Sequence, residues 1–229
     1  MSGPRRGGPP HGDPYAGIPG RRLFVGVPLP HEASAAVAEV VATVRASTLA
    51  PGSRDVRWVR LDGLHLTLRF LGPTPTERIV PTTTAVLRAA AAFRGPIDVE
   101  LGHAGSFPPG RRPRALWIGL TAGAEALSEL ASGVETTLAE AGWAPVDRPF
   151  RPHLTLARSD GVASGAQVGD RLSALMADRR IGFRVNTVGL YESVTGGGPA
   201  RYVPVAVGVL GETPVDGMSV YNPTTPDPL

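Results

Sequence analysis

Two of the chain's five histidines sit in the same four-residue phrase: His65-Leu66-Thr67-Leu68 recurs as His153-Leu154-Thr155-Leu156. Imidazole is the side chain whose unperturbed pKa lets it gain or lose a proton near neutrality. Two imidazoles across one phosphodiester can divide the work of cleaving it. One takes a proton from the attacking water, and the other gives a proton to the leaving oxygen. A hydroxyl beside each can hold a non-bridging oxygen and stabilise charge as it develops. Thr67 and Thr155 are those hydroxyls.

Strand geometry makes each His and Thr partners. Side chains alternate between faces, and residues i and i+2 lie roughly 6.5–7 Å apart on one face. Leu66 and Leu68, like Leu154 and Leu156, take the parity that enters a core. His65 and Thr67 share the opposite face, as do His153 and Thr155. In a regular strand Arg69 joins the His65 face and Arg151 joins the His153 face. Arg158 has the other parity, so it needs a bulge or a strand end to point the same way as His153. Phe70 and Phe150 fall on the apolar parity; both read first as core residues and second as base-stacking residues. The other histidines read as surface or structural: His11 in a Gly/Pro/Arg-rich arm, His31 before a helix, His103 after a strand.

Composition removes several competing chemistries. There is no cysteine, hence no disulfide, no thiolate nucleophile and no cysteine-bound metal, which fits a cytoplasmic protein. All 23 basic residues are arginine. Without lysine there is no Schiff base, no lysine–nucleotide intermediate and no P-loop, which disfavours ATP-dependent ligation. No Gly-x-Ser-x-Gly elbow is present. A catalytic zinc usually takes three protein ligands, and neither motif contains a carboxylate or further histidine; Asp62 is the nearest carboxylate to the first. Neither metal nor cofactor is expected. The net charge of +3 permits an anionic partner without demanding one. Arginine's planar fork suits phosphate, although most arginines are expected simply to solvate the surface.

The elements that must present these residues alternate between strand and helix. Strands are expected at Leu23–Val27, Val56–Val59, Leu64–Leu71 (closed by Gly72-Pro73), Ile97–Leu101, Ala115–Leu120, His153–Ala157, Phe183–Val188, Gly189–Ser193 and Tyr202–Val209. Helices are expected at His31–Leu49, Thr76–Ala92, Ala124–Ala141 and Gln167–Ala177. The order lacks a strict βαβ rhythm, which favours an α+β domain with largely antiparallel sheets. Two related lobes, each offering one His and one Thr, are the simple architecture for the repeat. Residues 1–20 read as a disordered arm, 21–210 as the domain, and 211–229 as a loose tail. No apolar run is long enough to cross a membrane, and the first residues lack the apolar stretch of a secretory signal.

At these residues the chain resembles the 2H phosphoesterases, and within them the RNA 2′,3′-cyclic phosphodiesterases, also called 2′-5′ RNA ligases. The likeness runs from Arg22-Leu23-Phe24-Val25-Gly26-Val27-Pro28 through Arg57-Trp58-Val59 to the first motif. It continues through Phe107-Pro108, Arg112-Pro113-Arg114-Ala115-Leu116-Trp117-Ile118-Gly119, the run Arg148 to Arg158, and Leu190-Tyr191-Glu192-Ser193. It implies a bilobal α+β fold with a pseudo-twofold axis and a central groove. It implies metal-independent hydrolysis of an RNA terminal 2′,3′-cyclic phosphate to a 2′-phosphate. His65 would give a proton to the leaving 3′-oxygen and His153 would activate water, while Thr67 and Thr155 bind phosphate oxygens. The repeat itself is too symmetric to assign those two roles. Arg69, Arg151, Arg158, Phe70 and Phe150 are the candidate substrate contacts.

The expected partner is RNA carrying a cyclic phosphate end, tRNA fragments included; the chain is expected to act as a monomer with no obligate protein partner. Reversible, ATP-independent 2′-5′ joining is open to the same acid–base pair run backwards. Two rival readings stay open: a non-catalytic RNA-end binder, and a phosphodiesterase for small cyclic nucleotides.

Overall fold

The structure, a computed structural model, describes residues 18–47, 56–146, 149–159, 163–196 and 199–212. The expected N-terminal arm (up to residue 17) and the tail from residue 213 lie outside the described residues. The first half of the chain forms β1 (Arg21–Pro28), α1 (His31–Ser47), the two-residue β2 (Arg57–Trp58), a single 3-10 turn (Leu61–Gly63), β3 (His65–Thr74) and α2 (Thr76–Ala92). It continues with β4 (Ile97–Phe107), β5 (Ala115–Ala122), α3 (Ala124–Glu140), β6 (His153–Arg158) and α4 (Ala163–Met176). Three strands finish it: β7 (Ile181–Val185), β8 (Thr187–Val194) and β9 (Arg201–Val209).

These strands form two antiparallel sheets, ordered β3-β1-β8-β9 and β2-β6-β5-β4-β7. The α+β expectation therefore holds. Each motif strand has a neighbour from its own half of the chain, β3 beside β1 and β6 beside β5, while the short β2 of the first half pairs with the other edge of β6. The lobes are tied together by exchanged helices. α1 leaves β1 but packs on α4 and β7; α3 leaves β5 but packs on α2 and β3. A single core follows, in which Leu66, Leu154 and Leu156 are fully buried. Each such side chain stabilises the fold by roughly 1.5–3 kcal/mol. Burying the leucines on the helix side leaves the His-Thr parity facing away from it. β3 and β6 approach each other where the sheets meet.

Both motif strands carry an extra residue at the same place. Gly26 pairs with Thr67 and Val25 with Arg69, so Leu68 has no partner of its own. Trp117 pairs with Thr155 and Leu116 with Ala157, so Leu156 is the extra residue. A bulge of this kind puts two residues opposite one and reverses the parity beyond it.

Several boundaries differ from expectation, α4 beginning at Ala163 and β7 at Ile181 among them, and three have a clear physical reason. Gly72-Pro73 does not close β3, which runs on to Thr74 with Pro73 opposite Arg22. β3 is an edge strand, where a proline's missing N–H costs little, and Gly72 adopts φ 75° at a second register shift. β4 continues past Leu101 to Phe107, because its small and polar second half pairs with β5. The break expected before Gly189 falls at Asn186 instead. There the chain passes from the five-stranded to the four-stranded sheet, and the Asn186 carbonyl accepts the Leu210 N–H at 2.9 Å. Gly189 itself lies inside β8.

Candidate active site

The two histidines are held by the same local device. The carbonyl two residues upstream lies 2.8 Å from His65 Nδ1 (Gly63) and 2.7 Å from His153 Nδ1 (Arg151). A carbonyl can only accept, so Nδ1 carries the proton in both rings. That leaves Nε2 as the nitrogen free to exchange protons. The repeat is thus deeper than its four letters: it specifies the tautomer as well as the face.

Their surroundings differ. His65 packs against Phe24 at 4.5 Å and edge-on to Tyr202 at 4.6 Å. Burial among these rings pushes its pKa below the ordinary imidazole value, against the raising effect of the Gly63 carbonyl. His153 meets Phe107 at 5.1 Å and Trp117 at 6.2 Å. Burial again lowers its pKa most, and the Arg158 charge lowers it further; only the Arg151 carbonyl raises it. Burial raises the Tyr202 phenol, while Arg158 pulls it down. One guanidinium therefore acts on a ring from each lobe, and Arg158 lines the same groove as Tyr202.

A groove of about 1020 Å³ opens at this junction. His65, Thr67 and Phe70 line it from β3, and Thr155 and Arg158 from β6. Arg22, Arg45, Arg57, Arg60 and Arg158 border it, and among the described residues no carboxylate does. Arg158, which lines the groove beside Thr155, offers an anion both charge and planar donors. His153 is at the margin. It shares the face of Thr155 one alternation earlier on the strand, but it is not part of the groove's lining.

The bulges decide which flanking residues reach the groove. Arg158 is exposed on the His153 side, as its parity required of a bulge. Arg69 goes the other way, contrary to the expectation that it shares the His65 face. It is buried, with Nη1 3.1 Å from the Glu135 carboxylate and Nη2 2.6 Å from the Ala144 carbonyl. Phe70 corrects the first reading made of it: it is not a core residue but 64% exposed, and it lines the groove. Phe150 does pack half-buried against the core, away from the groove lining. The Arg151 side chain is exposed, and only its carbonyl is engaged at the site.

Asp62, the carboxylate nearest the first motif, is engaged by Arg60 at 3.0 and 2.5 Å. That pairing holds its carboxyl below the usual range. Among the described residues no group of three His, Asp or Glu side chains gathers as a metal site. No helix among them is long and apolar enough to cross a membrane.

Sequence reasoning missed the rings around the histidines. Trp58, Phe24 and Tyr202 line the groove beside His65, and Phe107 and Trp117 pack on His153. Four of these lie in runs that carried the family likeness, which was a usable signal. Tyr202 had none: β9 delivers it across the sheet over the buried Phe24, whose ring lies 5.2 Å away.

Comparison with known proteins agrees with this fold. Residues 28–197 match the 2′-5′ RNA ligase superfamily. Relatives named RNA 2′,3′-cyclic phosphodiesterase include one from Geobacillus stearothermophilus, 36% identical over 136 residues, covering 59% of this chain but only 41% of the relative. One from Aeropyrum pernix is 33% identical over 141 residues, covering 61% of this chain and 77% of the relative. A solved Thermus thermophilus protein superposes with a TM-score of 0.64 at 28% identity, covering 83% of this chain and 98% of that one. Escherichia coli LigT complexed with 3′-AMP gives 0.62 at 27% identity over the same shares. The chain belongs to the 2′-5′ RNA ligase superfamily.

Proposed function

We propose that this protein hydrolyses RNA 2′,3′-cyclic phosphodiester ends to 2′-phosphomonoesters, without a metal, by acid–base catalysis between His153 and His65. Water gives a proton to His153 Nε2 as its oxygen attacks phosphorus. The bond from phosphorus to the 3′-oxygen breaks, and that oxygen takes the proton from His65 Nε2. The 2′-oxygen keeps the phosphate. Thr67, Thr155 and Arg158 hold the non-bridging oxygens, where donors act on charge as it develops.

The observation that carries this reading is the matched pair of imidazoles. Both are fixed through Nδ1 to a backbone carbonyl, and each has a threonine on its own face. The names of the relatives point to the same substrate class. The donor and acceptor roles follow the family resemblance. Burial first, and the Arg158 charge in addition, favour the neutral form of His153, which suits a proton acceptor. A groove of about 1020 Å³ is at the upper end for small-ligand sites, which favours an RNA end over a lone cyclic nucleotide.

The test is turnover of an RNA ending in a 2′,3′-cyclic phosphate, with chelator present. A 2′-phosphate product is expected, with a loss of about 10²–10⁴-fold for each of His65→Ala and His153→Ala. Full activity in the double variant, or activity abolished by the chelator, sinks the reading.

A further inference from the structure

The ring-lined face of the five-stranded sheet does not end at His153. Directly paired residues present the same face, so Trp117, opposite Thr155, and Gly119, opposite His153, belong to it. Trp117 lies over Gly105 of β4, where a Cβ would stand 2.5 Å from Cζ2 and 2.6 Å from Cη2 of the indole. His103 lies over Gly119 in the same way, where a Cβ would overlap its Nε2. No side chain fits at either glycine without moving a ring, so the two vacancies and the two rings make one constructed surface.

The rings form a floor with walls. Trp117 is half-buried. The exposed His103 stands at 88° to it, 5.8 Å away, and His153 meets it at 63°. Phe107 extends the floor, tilted by 32° at 5.1 Å. The hairpin that follows Phe107 carries exposed Arg111, Arg112 and Arg114. Flat rings beside a cationic hairpin suit one ligand chemistry, a base attached to an anionic backbone. Sheet order fixes where this surface lies. β5 and β4 continue beyond β6, on the opposite side from β3 and His65.

We propose that Trp117, His103 and Phe107 form a second nucleobase site on the outer side of His153, separate from the groove beside His65. This rests on the hydrolase reading above and extends it to a substrate with at least two bases. The base has two possible sources: the nucleotide preceding the cyclic end, or the 5′-terminal nucleotide of a second strand whose hydroxyl replaces water beside His153.

The experiment compares wild type, His103→Ala and Trp117→Leu on adenosine 2′,3′-cyclic phosphate and on a short RNA with the same end. It also measures joining of that RNA to a 5′-hydroxyl RNA. If the base belongs to the reacting strand, the ratio of the RNA KM to the mononucleotide KM rises about fivefold or more in both variants. If it belongs to the second strand, that ratio stays at the wild-type value and joining falls by a similar factor. Wild-type ratios together with wild-type joining overturn the site. So does an equal loss on both hydrolysis substrates, which marks Trp117 as mere support for His153. Should Trp117→Leu fail to fold, the exposed His103 carries the test alone. Wild type inactive on every cyclic phosphate sinks the hydrolase reading instead. The site is then judged by anisotropy of a labelled RNA ending in a 2′-phosphate, and unchanged affinity in both variants overturns it.

Discussion

Phe70 and Arg158 are counterparts: each follows its histidine by five residues, and each is turned towards the groove by a bulge at the leucine after the threonine. The repeat thus delivers two different tools to matched positions. One lobe offers a flat apolar ring, and the other a cationic fork. The substrate proposed above, a nucleotide end, has a base for the one and a phosphate for the other.

The two arginines of the motif strands separate in their effects. Arg158→Ala is expected to lower kcat/KM by at least about tenfold, the loss of one charge-stabilising donor, while leaving the urea midpoint near wild type, because its side chain is exposed. Arg69→Ala is expected to lose about 1–3 kcal/mol of stability, because the Ala144 carbonyl and the Glu135 carboxylate lose a buried charged donor. Steady-state kinetics with denaturation of both variants checks this. An Arg69→Ala protein as stable as wild type contradicts it.

Phe70→Ala is expected to leave stability within about 0.5 kcal/mol of wild type, as an exposed side chain should. The KM for a substrate with a base should rise about 5- to 100-fold, the cost of a lost stacking contact. Loss of several kcal/mol of stability without a change in KM would return Phe70 to the core.

Activity against pH is expected to report both imidazoles. In the free enzyme each is held below the ordinary imidazole pKa, chiefly by burial. The alkaline limb of kcat/KM is therefore expected below about pH 6.5. A bound phosphate favours the protonated donor, so the alkaline limb of kcat should lie higher. Arg158→Gln removes a charge that depresses His153, which should raise the His153 pKa in an imidazole NMR titration. A downward or absent shift there refutes the placement of Arg158.

Acid stability follows the same signs. A histidine whose folded pKa is depressed binds its proton more readily in the unfolded chain. Its stabilising contribution is present above about pH 6.5 and is lost as pH falls through the lower folded value. His65→Gln should reduce this loss, seen as a shallower fall of the urea midpoint between roughly pH 6.5 and 5. Parallel slopes for variant and wild type count against a buried neutral His65.

The catalytic candidates were legible because they rest on local periodicity. His65 with Thr67, and His153 with Thr155, needed only strand alternation, and the leucines between them announced which face was buried. The helices at 31, 76 and 124 begin where expected. What alternation could not give was its own interruption. Arg69 and Phe70 exchanged faces because a bulge reversed the parity beyond Leu68, and nothing within the segment marks that leucine as an extra residue. The strand break at Asn186 escaped for a related reason: it is set by a change of sheet, while the more obvious Gly189 stays inside its strand.

By itself, then, the sequence determined which chemical groups are available. It supplied two imidazoles and two hydroxyls on strand faces, arginine as the sole cation, and no thiol or amine to compete. Tertiary structure decided what surrounds that chemistry: the bulges that put Phe70 and Arg158 in the groove, the rings of Tyr202 and Trp117, and the burial that lowers both histidines. The division has a physical basis. Alternation is a property of neighbouring residues, whereas register, burial and ring contact depend on strands far apart in the chain.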